Sequence, residues 1–143
     1  MAASRVVIVR ASSPPRRPED FDPKVIERMY DRGMRLLTGL TSAAEAVRSV
    51  FAPSDRVGIK VNAIAAPELA TGPAVSLPFA RLLSGAGIPP RNIVVWDRTN
   101  RELTDAGYKL NLEPGAVQVY GTDTAGAGYA SEPAQHRGIA SLF

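Results

Sequence analysis

The stretch VGIKVNAIAAPELATGP, Val57 to Pro73, decides how the rest of the chain is read. Its first residues alternate as a strand does. Val57, Ile59 and Val61 fall on one face, and Gly58, Lys60 and Asn62 on the other. A glycine on that second face lets a helix or a ligand come close. The strand ends at Asn62, and a loop of small residues and prolines follows. Thr71-Gly72-Pro73 then suits a helix start, and Val75, Phe79, Leu82 and Leu83 carry the helix on to Gly85 or Gly87. Pro78 lies inside it. Proline there removes one hydrogen bond and clashes with the preceding turn, at about 3 kcal/mol, so the helix is expected to begin near Pro78 or to kink there.

The same grammar extends in both directions. Arg5-Val-Val-Ile-Val9 is a short apolar β-branched run, read as a strand buried on both faces. The proline-rich segment from Ala11 to Phe21 is an exposed loop. Asp22 offers an N-cap with Pro23 at the first helical position, Val25 through Leu37 keep helical spacing, and Gly39 is the stop. Ser42 and Glu45 match a capping box before a second helix, Ala43 to Phe51. Asn92-Ile-Val-Val-Trp96 is a further buried strand, ending at Asp97. Thr99 and Glu102 again fit a capping box, for a short helix closing at Ala106-Gly107. Val117 to Tyr120 is the last strand by alternation. Residues 124–143 are expected to be a loosely ordered tail. Strands alternating with helices predict one α/β domain over 1–143: a Rossmann-like layered sheet, mostly parallel, with helices on its faces.

Composition narrows the chemistry. The chain of 143 residues is 45% apolar and 22% charged, as globular proteins are. It has no cysteine, which excludes disulfides, thiolate nucleophiles and cysteine-held clusters or zinc within it. The single histidine, His136, excludes a histidine-rich metal site, and a Ser-His-Asp triad would have to draw on it from a polar, glycine-rich tail. Glu19, Asp20 and Asp22 resemble a metal-ligand run, but a solvated loop and an N-cap account for them, so no metal site is expected. The net charge is +3 and the pI about 9.6. The arginines of the first third interleave with acids, which makes a mixed surface rather than a nucleic-acid stripe. No apolar stretch reaches the roughly 20 residues of a membrane span. Arg16-Arg17 runs into Pro18, Glu19 and Asp20 and is not a twin-arginine signal. A cytoplasmic location is the default expectation, with export only if a leader was removed before Met1.

Parallel sheets bind ligands beyond the carboxyl ends of their strands. Lys60, Asn62, Asp97 and Arg98 all fall at such ends, on two strands joined by one crossover, so they are expected on one rim. Lys60 could meet a phosphate or carboxylate as a point charge, and Asn62 could donate and accept together. Asp97 stands where such proteins hold a ribose, a metal or a proton. Thr71 could cap the helix, the favoured reading, or its amides could receive an anion. Plainer roles stand beside each: a snorkelling lysine, a turn asparagine, a capping acid, or a Lys60–Asp97 pair across adjacent strands. The segment is no P-loop, and Gly121, Gly126 and Gly128 are spaced unlike a dinucleotide fingerprint. No residue is assigned a catalytic role and no cofactor is identified.

These residues also carry a likeness. DRVGIKVN, the loop ending LATGP, and AGIPPRNIVVWDRTNRELTDAGYKLN resemble the domain-of-unknown-function family 362, with RVVIVR before them and VQVYGTD after. The resemblance covers about Arg5 to about Asp123. It implies an α/β protein. Some members of that family are joined to ferredoxin-type iron–sulfur modules and some bear twin-arginine signals, which implies redox or cofactor-linked chemistry in the full-length family. Family members have a Ser-Thr-His-Pro-like stretch where this chain has Ala70-Thr71-Gly72-Pro73, so the imidazole is missing here. They also continue into a lysine-rich second half. The expectation is therefore an amino-terminal α/β half that binds an anionic small molecule at the rim. The alternative is a non-catalytic scaffold or an inactive truncated fragment that associates with itself or with a missing carboxyl-terminal half.

Overall fold

A computed structural model of the chain describes residues 5–12 and 20–129. Helix α1 spans Pro23–Thr38. Asp22 caps it by accepting from the Lys24 amide at 2.8 Å, and Gly39 ends it in the left-handed region at φ 76°. Helix α2, Ala43–Arg48, opens with the reciprocal Ser42–Glu45 capping box and stops short of the expected Phe51. Strand β1 is Val57–Lys60, helix α3 Pro73–Gly85, strand β2 Ile93–Asp97, helix α4 Asn100–Asp105 and strand β3 Gln118–Gly121. At α4, Thr99 accepts from the Glu102 amide, but the Glu102 carboxylate bonds Arg98 instead of closing a box.

The three strands form one all-parallel sheet in the order β1-β2-β3, with Ile59 opposite Val95 and Val95 opposite Val119. Both crossovers step in the same direction. Right-handed connections then lay both crossover helices on one face, and the core follows that rule. Val57 and Ile93 pack with Val47 of α2 and with Ala80 and Leu83 of α3. Val61, Val95 and Val119 pack with Leu103 of α4 and with Tyr108. The intervening residues Gly58, Lys60, Val94, Trp96, Gln118 and Tyr120 face the other way and stay exposed or half-buried. Among the described residues the helices therefore cover one face of a sheet that was expected to carry them on its faces.

Helix α3 begins at Pro73, where Thr71-Gly72-Pro73 suits a start, rather than near Pro78; it runs on through Pro78, whose ring is fully buried. One ladder bond, to the Ala74 carbonyl, is lost. Burial of the ring against the core offsets that loss. Residues 5–9 form no strand. Val6 and Ile8 are 81% and 69% exposed. The segment instead lies along α1, with the Arg5 guanidinium on the Leu36 and Leu37 carbonyls and Val9 against Gly33. Most of the expected 124–143 tail lies outside the described residues, as does His136. In its first residues the Gly128 amide donates to the Thr124 carbonyl at 2.8 Å and the Tyr129 amide to the Thr122 carbonyl at 3.0 Å.

Leu103 is fully buried and is the residue by which the short helix α4 joins the sheet. Leu103→Ala is expected to destabilise the fold by about 3 kcal/mol, read as a lower denaturation midpoint at unchanged slope.

Candidate functional site

Parallel pairing with Lys60 opposite Trp96 brings the ends of β1 and β2 to the same edge. The Lys60 ammonium reaches one residue past its partner, to Asp97 Oδ1 at 2.6 Å. The same oxygen accepts from the Arg98 amide at 2.7 Å, and Oδ2 accepts from the Ala63 amide at 2.6 Å. The carboxylate therefore fixes the chain after β1 through Ala63, the chain after β2 through Arg98, and the lysine between them. It is buried, with 6% of its side chain exposed, whereas Lys60 is 49% exposed. The ammonium also donates to the Val61 carbonyl and lies 5.7 Å from the centre of the Trp96 ring. Gly58 leaves room for that indole: a Cβ there would come 3.1 Å from Trp96 Nε1.

Burial is the largest influence on Asp97 and pushes its carboxyl up. The hydrogen bond from Lys60, the two amides and the lysine charge together outweigh it, so the pKa lies below the ordinary value. Arg98 sends its guanidinium to Glu102, which raises the arginine and lowers the acid. Arg101 leans on Asp105 at 3.6 Å with its side chain 90% exposed.

The other expected contact residues stand apart from this cluster. Asn62 is exposed; its side chain accepts from the Ile64 amide at 3.4 Å, and its carbonyl accepts from the Thr71 amide at 2.8 Å. Thr71 does not cap α3. Gly72 is the N-cap and offers no side chain to do so. The contribution of Thr71 is its carbonyl, which accepts from the Tyr108 hydroxyl at 2.7 Å. With the one tyrosine proton committed there, the Ser76 hydroxyl, 2.7 Å away, must be the donor to Tyr108 Oη. Both side chains are buried, and this relay pins the 62–71 loop to α3. Burial raises the Tyr108 pKa above the ordinary phenol value.

The sequence reading also missed a brace across the rim. The Asn100 side chain accepts from the Gly121 amide at 2.8 Å and bonds Thr124, while Asp123 accepts from the Asn100 amide at 2.8 Å. A Cβ at Gly121 would collide with that Asn100 amide and with the Asp123 carboxylate, so this glycine serves close packing rather than a phosphate. Beside the brace opens a cleft of about 570 Å³ lined by Ala63, Ile64, Arg98, Arg101, Glu102 and Asp123. Lys60 stands outside it. Trp96 was readable only as a strand residue; the signal for it is that two-residue alternation puts it on the Gly58–Lys60 face. Among the described residues no three His, Asp or Glu side chains converge as metal ligands, and no helix is long and apolar enough to cross a membrane.

Asp97→Asn is expected to cost roughly 2 kcal/mol, since three donors to a charged acceptor are weakened. Lys60→Met should cost less, because its ammonium is half in water. The depressed Asp97 pKa fixes the pH window. Its stabilisation is complete above the unfolded value of about 3.9 and is lost as pH falls through the lower folded pKa. Urea midpoints between pH 7 and pH 2 should therefore show an acid limb that is shallower in Asp97→Asn.

Comparison with protein-family models, with curated proteins and with solved structures finds no match to this chain.

Proposed function

We propose that the chain is a small-molecule-binding α/β domain that takes an anionic group at the carboxyl-end rim of its sheet, with Lys60 as the contacting charge. One observation carries the reading. The Lys60 ammonium spends two of its three protons on Asp97 and Val61, is half-exposed, and stands beside an aromatic ring on a sheet face that no described helix covers. A phosphate or carboxylate can take the third proton while Asp97, held by two amides, stays satisfied. A planar group on the same ligand can lie on Trp96. Arg98, whose side chain is engaged with Glu102, and Asn62, in its turn, are secondary contacts. Thr71 acts through the backbone. The likeness to family 362 agrees with this reading and extends it to cofactor-linked redox chemistry in a full-length protein. On that reading the three strands are one half of a Rossmann-like, doubly wound sheet.

Trp96 is the only tryptophan, so its fluorescence reports on the site directly. Titration with inorganic pyrophosphate and with adenosine monophosphate should give a saturable change in emission. Lys60→Ala should weaken it about tenfold, equivalent to about 1.4 kcal/mol. Absence of saturation, or equal affinity in the variant, would refute the assignment.

A second reading, an interaction domain, draws on the bare sheet face. Parallel sheets are almost always covered on both faces, and here Val94, Trp96 and Tyr120 are only half-buried. If another polypeptide lies across that face, the wild-type chain should associate at high concentration in sedimentation velocity, and Val94→Glu should return it to a monomer. A wild-type chain that stays monomeric at all concentrations would count against this version.

A further inference from the structure

We infer that the cleft between α1 and residues 9–12 is a second anion site, suited to a phosphate monoester. It is separate from the rim, since neither Lys60 nor Trp96 lines it. Its volume is about 360 Å³, and its charged lining residues are Arg10, Arg28 and Arg32, with no carboxylate among them.

Helix α1 supplies one wall. Arg28 and Arg32 are four residues apart, and Lys24 stands four before Arg28, so three cations follow one another along the helix surface. Like charges at that spacing repel. The two acids within α1 do not answer them. Glu27 bridges to Arg81 of α3 at 2.7 Å, and Asp31 leans on Arg35 at 3.4 Å. Asp22, before the helix, accepts from the Lys24 amide. Among the described residues no carboxylate pairs with Arg10, Arg28 or Arg32. The other wall brings Arg10 and the Ser12 hydroxyl. Arg5 ties that segment to the Leu36 and Leu37 carbonyls, and Val9 Cγ2 comes 3.5 Å from where a Cβ of Gly33 would stand. The glycine therefore lets the segment lie directly on α1, one residue from Arg32.

Three arginines on one cleft concentrate positive charge that a dianion can neutralise. Each guanidinium is a planar fork that can give paired N–H bonds to phosphate oxygens. The Ser12 hydroxyl adds a further donor. Val25 and Met29, both half-buried, give the same cleft an apolar side. That side receives the carbon part of an ester, whereas inorganic phosphate leaves it in water. The arginines are exposed, so each contact is weak alone and affinity comes from their sum.

The test titrates phenyl phosphate into the full chain while NMR follows the Ser12 amide and the Nε–H groups of Arg28 and Arg32. These signals should shift saturably, and at lower concentration than with inorganic phosphate. Arg28→Gln and Arg32→Gln should each weaken binding about fivefold. Arg35→Gln removes the same charge from the same helix and should leave the affinity unchanged, as should Lys60→Ala at the rim. Absence of saturation overturns the proposal, as does an equal loss in Arg35→Gln, which would mean net charge alone, or a loss in Lys60→Ala, which would mean the rim. Inorganic phosphate binding as tightly as phenyl phosphate overturns the ester assignment. Sedimentation with phosphatidylcholine vesicles, with and without phosphatidic acid, identifies the source. Retention that needs phosphatidic acid and is lost in Arg28→Gln supports a lipid headgroup as the ester. Saturable phenyl phosphate binding without retention supports a soluble one.

Discussion

A carboxylate buried at the end of a strand has to be answered by donors, and the rim of this protein is arranged around that demand. Asp97 is the one buried charged residue among the described residues, and three donors converge on its two oxygens. Two are backbone amides that cannot move without moving their loops. The lysine supplies the countercharge, but it is half in water and loses little by leaving. The pair is thus asymmetric: an anchored acid and an available cation. Burial alone would leave the acid too costly to ionise. The donors reverse that, and in doing so they fix where β1 ends, where β2 ends and how far apart the two loops stand.

That arrangement was largely legible before any coordinates. The alternation of Val57, Ile59 and Val61 against Gly58 and Lys60 is a property of strand geometry, and it survives folding intact. Once β1 and β2 are neighbours and parallel, Lys60 and Asp97 have little choice but to meet. The partners that complete the cluster carry no sequence signal. Ala63 contributes only an amide, and nothing in an alanine advertises a hydrogen bond. The relay from Ser76 through Tyr108 to Thr71 joins residues from three segments, and the threonine enters through its carbonyl, where side-chain identity is irrelevant. The favoured reading of Thr71 was a cap by its hydroxyl, and the fold uses its amide and carbonyl within the protein.

Pro78 and the misplaced first strand are instructive in opposite ways. Pro78 violates a local rule, and the violation is outweighed by tertiary packing, because the ring fills a site in the core at the loss of one bond. Arg5–Val9 obeys every local rule for a buried strand, yet lies beside α1 with Val6 and Ile8 in water. Local preference decides what a segment can become. Whether it becomes that depends on a neighbouring edge offering partners, and periodicity says nothing about edges.

The handedness of the crossovers has a further consequence for the rim. Among the described residues, two steps in the same direction leave one sheet face without helices, so the lysine that answers Asp97 comes from the uncovered side. Had β1 or β2 been approached from the opposite direction, a helix would lie over Gly58 and Trp96, and the ammonium would be buried with its acid. A dry pair of that kind holds little for a ligand, because desolvation has consumed most of the attraction. A charge on an edge strand also discourages unwanted strand pairing, so Lys60 protects the sheet while it serves the rim. Both roles depend on the ammonium remaining in solvent, which the one-sided packing of this sheet provides.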